Sequence, residues 1–137
     1  MPKQMALWFV LLSVAGCSTT PTSDGSAVER GPDGTIAFTV LVESSEPGVR
    51  IEANKDYVGT TPLELKVFGD KDGTFHYFGN PHYIIQAFPV KEGQFRQTKI
   101  FKTGDWFTGE DKIPKRVYFD MTQPENTVIE QGQAPTL

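Results

Sequence analysis

Two histidines and a scatter of acids are the residues of this sequence with metal-binding or acid–base potential. His76 and His82 stand six apart, close behind the string Asp70-Lys71-Asp72-Gly73. That string shares its opening with a calcium loop, which also needs further oxygen ligands and a bidentate Glu at fixed spacing. Those ligands are missing, so it reads as an exposed turn. The histidine spacing does not suit a structural zinc site either, and no metal is expected. Glu110-Asp111 pairs two carboxylates in a loop, where water solvates them. No Gly-x-Ser-x-Gly elbow occurs, and no glycine-rich phosphate loop precedes a helix. The expectation is a non-enzymatic chain without cofactor. A hydrolase or metal-dependent enzyme built on His76 and His82 with nearby acids is the weaker reading.

The remaining chemistry lies in rings. Phe75, Tyr77, Phe78 and Tyr83 stand in sequence among Asn80, His76 and His82, and Trp106 and Phe107 follow in the loop Gly104–Pro114. Exposed, such rings stack on sugars or on a partner protein. Buried, they supply the core of a small domain, and that role is favoured here. Long loops are often functional, however. Phe75, His76, Tyr77, Phe78, Tyr83, Trp106 and Phe107 are therefore the expected place for a binding face.

Cys17 is the only cysteine, so no intramolecular disulfide can form. It follows a positive residue, Lys3, an unbroken apolar run from Met5 to Leu12, and the small residues Ser13 to Gly16. The run is shorter than the roughly 20 residues a spanning helix needs, and it has the form of a signal segment. Val14-Ala15-Gly16-Cys17 resembles the lipobox of bacterial lipoproteins at every position. That resemblance implies removal of residues 1–16, acylation of Cys17 and anchoring in a membrane. Ser18 follows the cysteine and no Asp lies there, which by resemblance to lipoproteins of Gram-negative bacteria implies the outer membrane, facing the periplasm or the surface. Each acyl methylene contributes about 0.8 kcal/mol to such an anchor.

The net charge is −4, and loss of residues 1–16 removes Lys3 and no acid. Mild acidity argues against nucleic acid, which needs clustered Lys and Arg. The longest basic cluster, Lys112 to Arg116, reads as a solvated face. The expected partners are the membrane, through Cys17, and a cell-wall glycan or an envelope protein.

These groups must be positioned by strands. Residues 17–34 are polar, rich in Ser, Thr, Pro and Gly, and read as the lipidated cysteine and a flexible linker. From Thr35 the pattern turns to period two: Ile36, Phe38, Val40 and Val42 share one face of a strand over Thr35–Glu43. Ser44–Gly48 is a turn, Val49–Ala53 a second strand, and Asn54-Lys55-Asp56 a tight connection into Tyr57 and Val58. Gly59-Thr60-Thr61-Pro62 breaks that strand before Leu63–Phe68. This stretch resembles the PEGA domain, a small β-sandwich module of bacterial surface and periplasmic proteins. The resemblance is carried by Ser45-Glu46-Pro47-Gly48-Val49-Arg50-Ile51 and Tyr57-Val58-Gly59-Thr60-Thr61-Pro62-Leu63. In physical terms Gly59 either takes a positive φ or permits close approach, and Thr60 or Thr61 bonds the turn backbone.

Further strands are expected over His82–Val90, Phe95–Lys102 and Arg116–Met121, with Pro89 at an edge or bulge. The expected fold is all-β, a small antiparallel sandwich of about seven strands over residues 35–122, PEGA-like and of transthyretin-like or immunoglobulin-like form. Residues 123–137 form a loose tail, in which Val128 and Ile129 can add a short strand.

Overall fold

The computed structural model describes residues 27–124 and 128–130. Cys17, the expected signal segment and most of the expected tail lie outside the described residues. Eight strands occur among the described residues: β1 (Ile36–Ser44), β2 (Arg50–Ala53), β3 (Asp56–Thr60), β4 (Leu63–Gly69), β5 (His82–Ala87), β6 (Gln97–Lys102), β7 (Arg116–Phe119) and β8 (Val128–Glu130). They form a three-stranded sheet, β4-β1-β7, and a five-stranded sheet, β3-β2-β5-β6-β8. The fold is thus a small β-sandwich. Two pairings are parallel, β1 with β7 and β6 with β8, so both sheets are mixed rather than purely antiparallel.

Alternation along each strand builds the core. Val40, Val42, Leu65, Val67, Val117 and Phe119 of the smaller sheet meet Ile51, Ala53, Ile85, Ala87 and Phe101 of the larger. Val49, Phe75 and Met121 close it from the connections. On β1 the expected face holds, but burial is complete only at Val40 and Val42, while Ile36 and Phe38 are half-buried. Neither end of the sandwich resembles the other. One end, here the turn end, gathers Ser45–Gly48, Thr61 and the residues after β7. The opposite end gathers the chain's entry into β1, the turn after β4, the start of β5 and the loop after β6.

At the turn end the open choices at residues 59–61 resolve. Gly59 has φ 140 at the bulge where β2 shifts register against β3, so its positive φ is the reason for glycine. Thr61, not Thr60, bonds the turn. Its Oγ1 accepts the Val49 N–H at 3.1 Å, bonds Ser44 Oγ at 2.6 Å and donates to the Glu46 carbonyl at 3.2 Å. The β2–β3 connection places both Asn54 and Lys55 at positive φ, as a two-residue primed turn requires.

Most strand ends shift by one or two residues from expectation, and two larger differences have a visible cause. β5 ends at Ala87, because Pro89 has no N–H to continue the ladder, and Pro89 therefore lies beyond the strand. Residues 29–34, expected in the linker, fold back on β1: the Glu29 carbonyl accepts the Ala37 N–H at 2.9 Å, and the Glu29 carboxylate pairs with Lys66 at 2.7 Å.

Candidate functional site

After β4 the chain makes the turn Asp70–Thr74, closed by Asp70 N–H to the Thr74 carbonyl at 2.9 Å. Asp72 spends its carboxylate on this turn, accepting the Thr74 N–H at 3.1 Å and the Thr74 hydroxyl at 2.7 Å. Those bonds hold its carboxyl below the usual range. The string Asp70-Lys71-Asp72-Gly73 is therefore a self-bonded turn. Among the described residues, no group of three or more His, Cys, Asp or Glu is placed to hold a metal ion.

Phe75 then enters the core at 1% exposure. Its ring stacks on Phe101 at 4.9 Å between centroids and tilts against Tyr83 at 5.1 Å. The Phe75 N–H donates to the Asp111 carbonyl at 3.0 Å, tying this segment to the loop after β6. Tyr83 is half-buried against the same cluster, and burial pushes its phenol up to about 12. Phe75 and Tyr83 thus belong to packing and leave the expected binding face.

With Phe75 turned in, its neighbours turn out. His76 Nδ1 lies 2.8 Å from Asp70 Oδ1, and its ring rests on Phe78 at 4.6 Å. Tyr77 and Phe78 are exposed. His82 is exposed at the start of β5, so the two histidines occupy different elements with different neighbours. His76 keeps company with Asp70, whereas the electrostatic influence of His82 falls on Asp105.

The facing wall is the loop after β6. It is pinned at its base by the Thr103–Glu110 bridge, by Asp111 N–H to the Lys102 carbonyl at 2.9 Å, and by Lys102 N–H to the Asp111 carboxylate at 2.7 Å. Thr103 is buried, and its hydroxyl donates to the Asn80 carbonyl at 2.5 Å, so it is committed to structure. Gly104 has φ 84, and a Cβ there would meet Glu110 Cγ at 2.7 Å; only glycine fits. Asp105 closes the tip by accepting the N–H groups of Phe107 and Thr108 at 2.8 and 2.7 Å and the Thr108 hydroxyl at 2.8 Å. These donors lower its pKa, the Phe107 N–H most.

Trp106 and Phe107 stand at that tip, 92% and 91% exposed. Between the two walls runs an open groove of about 740 Å³, with Asp70, His76 and Tyr77 on one side and Asp105, Trp106, Phe107 and Glu110 on the other. The structure thus brings together His76, Tyr77, Trp106 and Phe107 of the expected face. Asp105 was not among the expected site residues. Its signal was present, since Asp-x-x-Thr is the pattern of a carboxylate that caps its own turn.

The groove can stack rings against a flat or apolar group and offer carboxylate acceptors beside it. Compared with known proteins, the chain matches no family model, no curated protein and no solved structure.

Proposed function

We propose that the chain is a lipid-anchored, non-enzymatic module of the bacterial cell envelope whose working surface is the end carrying the groove. The observation that carries a binding role is the pair Trp106–Phe107, adjacent and almost fully exposed on a turn that hydrogen bonds hold in shape. A protein gains no stability by presenting two large rings to water, and exposed aromatic groups beside a groove mark contact surfaces. The anchor is supported by Val14-Ala15-Gly16-Cys17 and by the absence of any second cysteine with which Cys17 could pair. The PEGA-like reading is supported by the turn at Glu46–Gly48 and the buried Thr61 that bonds it. The location proposed is the outer membrane.

Inhibition of the lipoprotein signal peptidase with globomycin tests the reading. The expected result is accumulation of a precursor, and release of a Cys17→Ala form from membranes. A Cys17→Ala form that stays membrane-bound, or a precursor that never accumulates, refutes it.

A second reading has its own observation. Among the described residues β7 is paired on one side only and β3 is an outer strand of the larger sheet, so an envelope partner can add a strand to either edge. Stoichiometric co-purification from membranes, lost when Tyr57→Pro blocks the β3 edge, would favour an assembly subunit.

A further inference from the structure

Two exposed arginines of this chain are held in the same way. Glu52 and Tyr57 stand opposite each other on β2 and β3, and Arg50, two residues before Glu52, reaches both. Its guanidinium carbon lies 4.6 Å from the centre of the Tyr57 ring, and its Nη2 lies 2.9 Å from Glu52 Oε1. Glu43 and Tyr118 stand opposite each other on β1 and β7, and Arg116, two residues before Tyr118, reaches that pair. Its guanidinium carbon lies 5.3 Å from the centre of the Tyr118 ring, and its Nε bonds the Glu43 carboxylate. The set has a general basis: a planar guanidinium stacks on an aromatic face while its N–H groups reach a carboxylate.

The groove beside Trp106 and Phe107 holds the rings and the carboxylates of this set without the cation. Asp70, Asp105 and Glu110 line it, and no Lys or Arg does. Their acceptors are not used up. Asp70 gives Oδ1 to His76 and Asp105 gives Oδ1 to its own turn, which leaves Oδ2 of each. Among the described residues, the Glu110 carboxylate makes no hydrogen bond or ion pair, and neither the Trp106 nor the Phe107 ring is covered by another ring or a cation. We propose that the groove receives an arginine side chain of a partner protein, its guanidinium stacked on Trp106 and bonded by the groove carboxylates, Glu110 foremost. The proposal deepens the reading of this end as the working surface and rests on it. Arginine fits better than lysine, because a compact ammonium is more strongly hydrated and gains less from a ring. A groove of about 740 Å³ is far larger than one guanidinium, so the segment that carries the arginine lies in it as well.

The full chain, isotope-labelled and held in a nonionic detergent, is titrated with a short peptide of glycine and serine around one arginine, its ends blocked. The assigned signals of the Gly104 amide and the Trp106 indole report the groove in magnetic resonance spectra. The expected result is saturable movement of both, weakened as salt is raised. The same peptide with citrulline, flat and neutral, binds about fivefold more weakly or worse, and one with lysine about threefold more weakly. Trp106→Leu and Glu110→Gln, at exposed positions outside the core, keep the parent's circular dichroism. Each weakens the arginine peptide about threefold to fivefold, read at Gly104. A citrulline or lysine peptide that binds as tightly as the arginine peptide overturns the proposal. So does an arginine peptide whose affinity neither substitution changes, because it then sits elsewhere. A neutral chitin oligosaccharide that moves both signals where the arginine peptide moves neither overturns it too, and leaves this end as the working surface. Silence toward both probes overturns the proposal together with the groove's role, whereas the anchor at Cys17 stands or falls by the globomycin experiment alone.

Discussion

Replacing Thr61 with valine tests whether one buried hydroxyl closes the turn end of the sandwich. Thr61 is 4% exposed, and Val49, whose N–H it accepts, is fully buried. Valine keeps the β-branched shape and removes only the oxygen. The Val49 N–H is then left without its acceptor, and an unsatisfied buried donor costs about 1–3 kcal/mol. Ser44 Oγ and the Glu46 carbonyl lose a partner as well, but they bond one another. The backbone bonds of Thr61 to Val49 and Gly48 survive the change. The expected loss is therefore about 2 kcal/mol. With a urea m value of about 1–1.5 kcal/mol/M for a domain of this size, the unfolding midpoint falls by about 1.3–2 M. Thr60→Val, one residue earlier and exposed, is the control and stays within about 0.5 kcal/mol of the parent. Equilibrium urea unfolding followed by circular dichroism measures both. Equal losses in the two variants, or a Thr61→Val loss below about 0.5 kcal/mol, would refute the assignment of the turn to that hydroxyl.

Phe75→Ala opens a cavity between Phe101 and Tyr83 and is expected to cost about 3–5 kcal/mol in the same assay, whereas Tyr77→Ala, on the exposed side of the same segment, stays within about 0.5 kcal/mol. Lys99 is 8% exposed on the core face of β6, its ammonium 5.3 Å from the Phe119 ring, and burial lowers its pKa. Its folded form therefore binds a proton less readily than the unfolded chain, so the penalty is full below the folded pKa and fades as pH rises toward the ordinary lysine value. Lys99→Met should raise stability at neutral pH by about 0.5–1 kcal/mol, the lost cation–π contact offsetting part of the gain, and the advantage should shrink at alkaline pH in thermal melts.

Period-two alternation located β1 and β2 because each has one face in the core and the other turned outward, the condition that writes itself into a strand. The segment from Phe75 to Tyr83 carries no such period. Which ring enters the core there is decided by the Gly69–Phe75 bridge and by the Asp111 carbonyl, from positions 6 residues before and 36 after. Local sequence holds no record of that choice, so one aromatic cluster divided into core rings and exposed rings that look alike in the sequence. Residues 29–34 were obscured for a similar reason: their composition is that of a linker, and their order comes from backbone bonding to β1, which is blind to side chains. The groove was half legible. His76, Tyr77, Trp106 and Phe107 stood out by type, while Asp105 was legible only through Thr108 three residues on, the pattern of a carboxylate that caps its own turn.

The two ends of the sandwich are stabilised by different means, and the difference bears on function. At the turn end, residues 17 apart in sequence share a buried hydroxyl contact, so a change there is felt by the whole fold. At the opposite end, Asp72 and Asp105 each bond within their own loops, and Phe75 alone sinks into the core between them. Trp106 and Phe107 add almost nothing to that core at 92% and 91% exposure. Fold stability therefore gives no reason for two adjacent apolar rings at the tip, where exposure of apolar area is unfavourable. The carboxyl of Asp105, held below its usual range by the donors of the same turn, stays ionised at neutral pH and keeps the tip in one shape; its contribution is present above the ordinary carboxylate range and is lost as acid reaches the lowered pKa. A loop that spends a carboxylate to hold two rings in water has the organisation of a contact surface, and the rings are the part of it that can be altered while the sandwich stays folded.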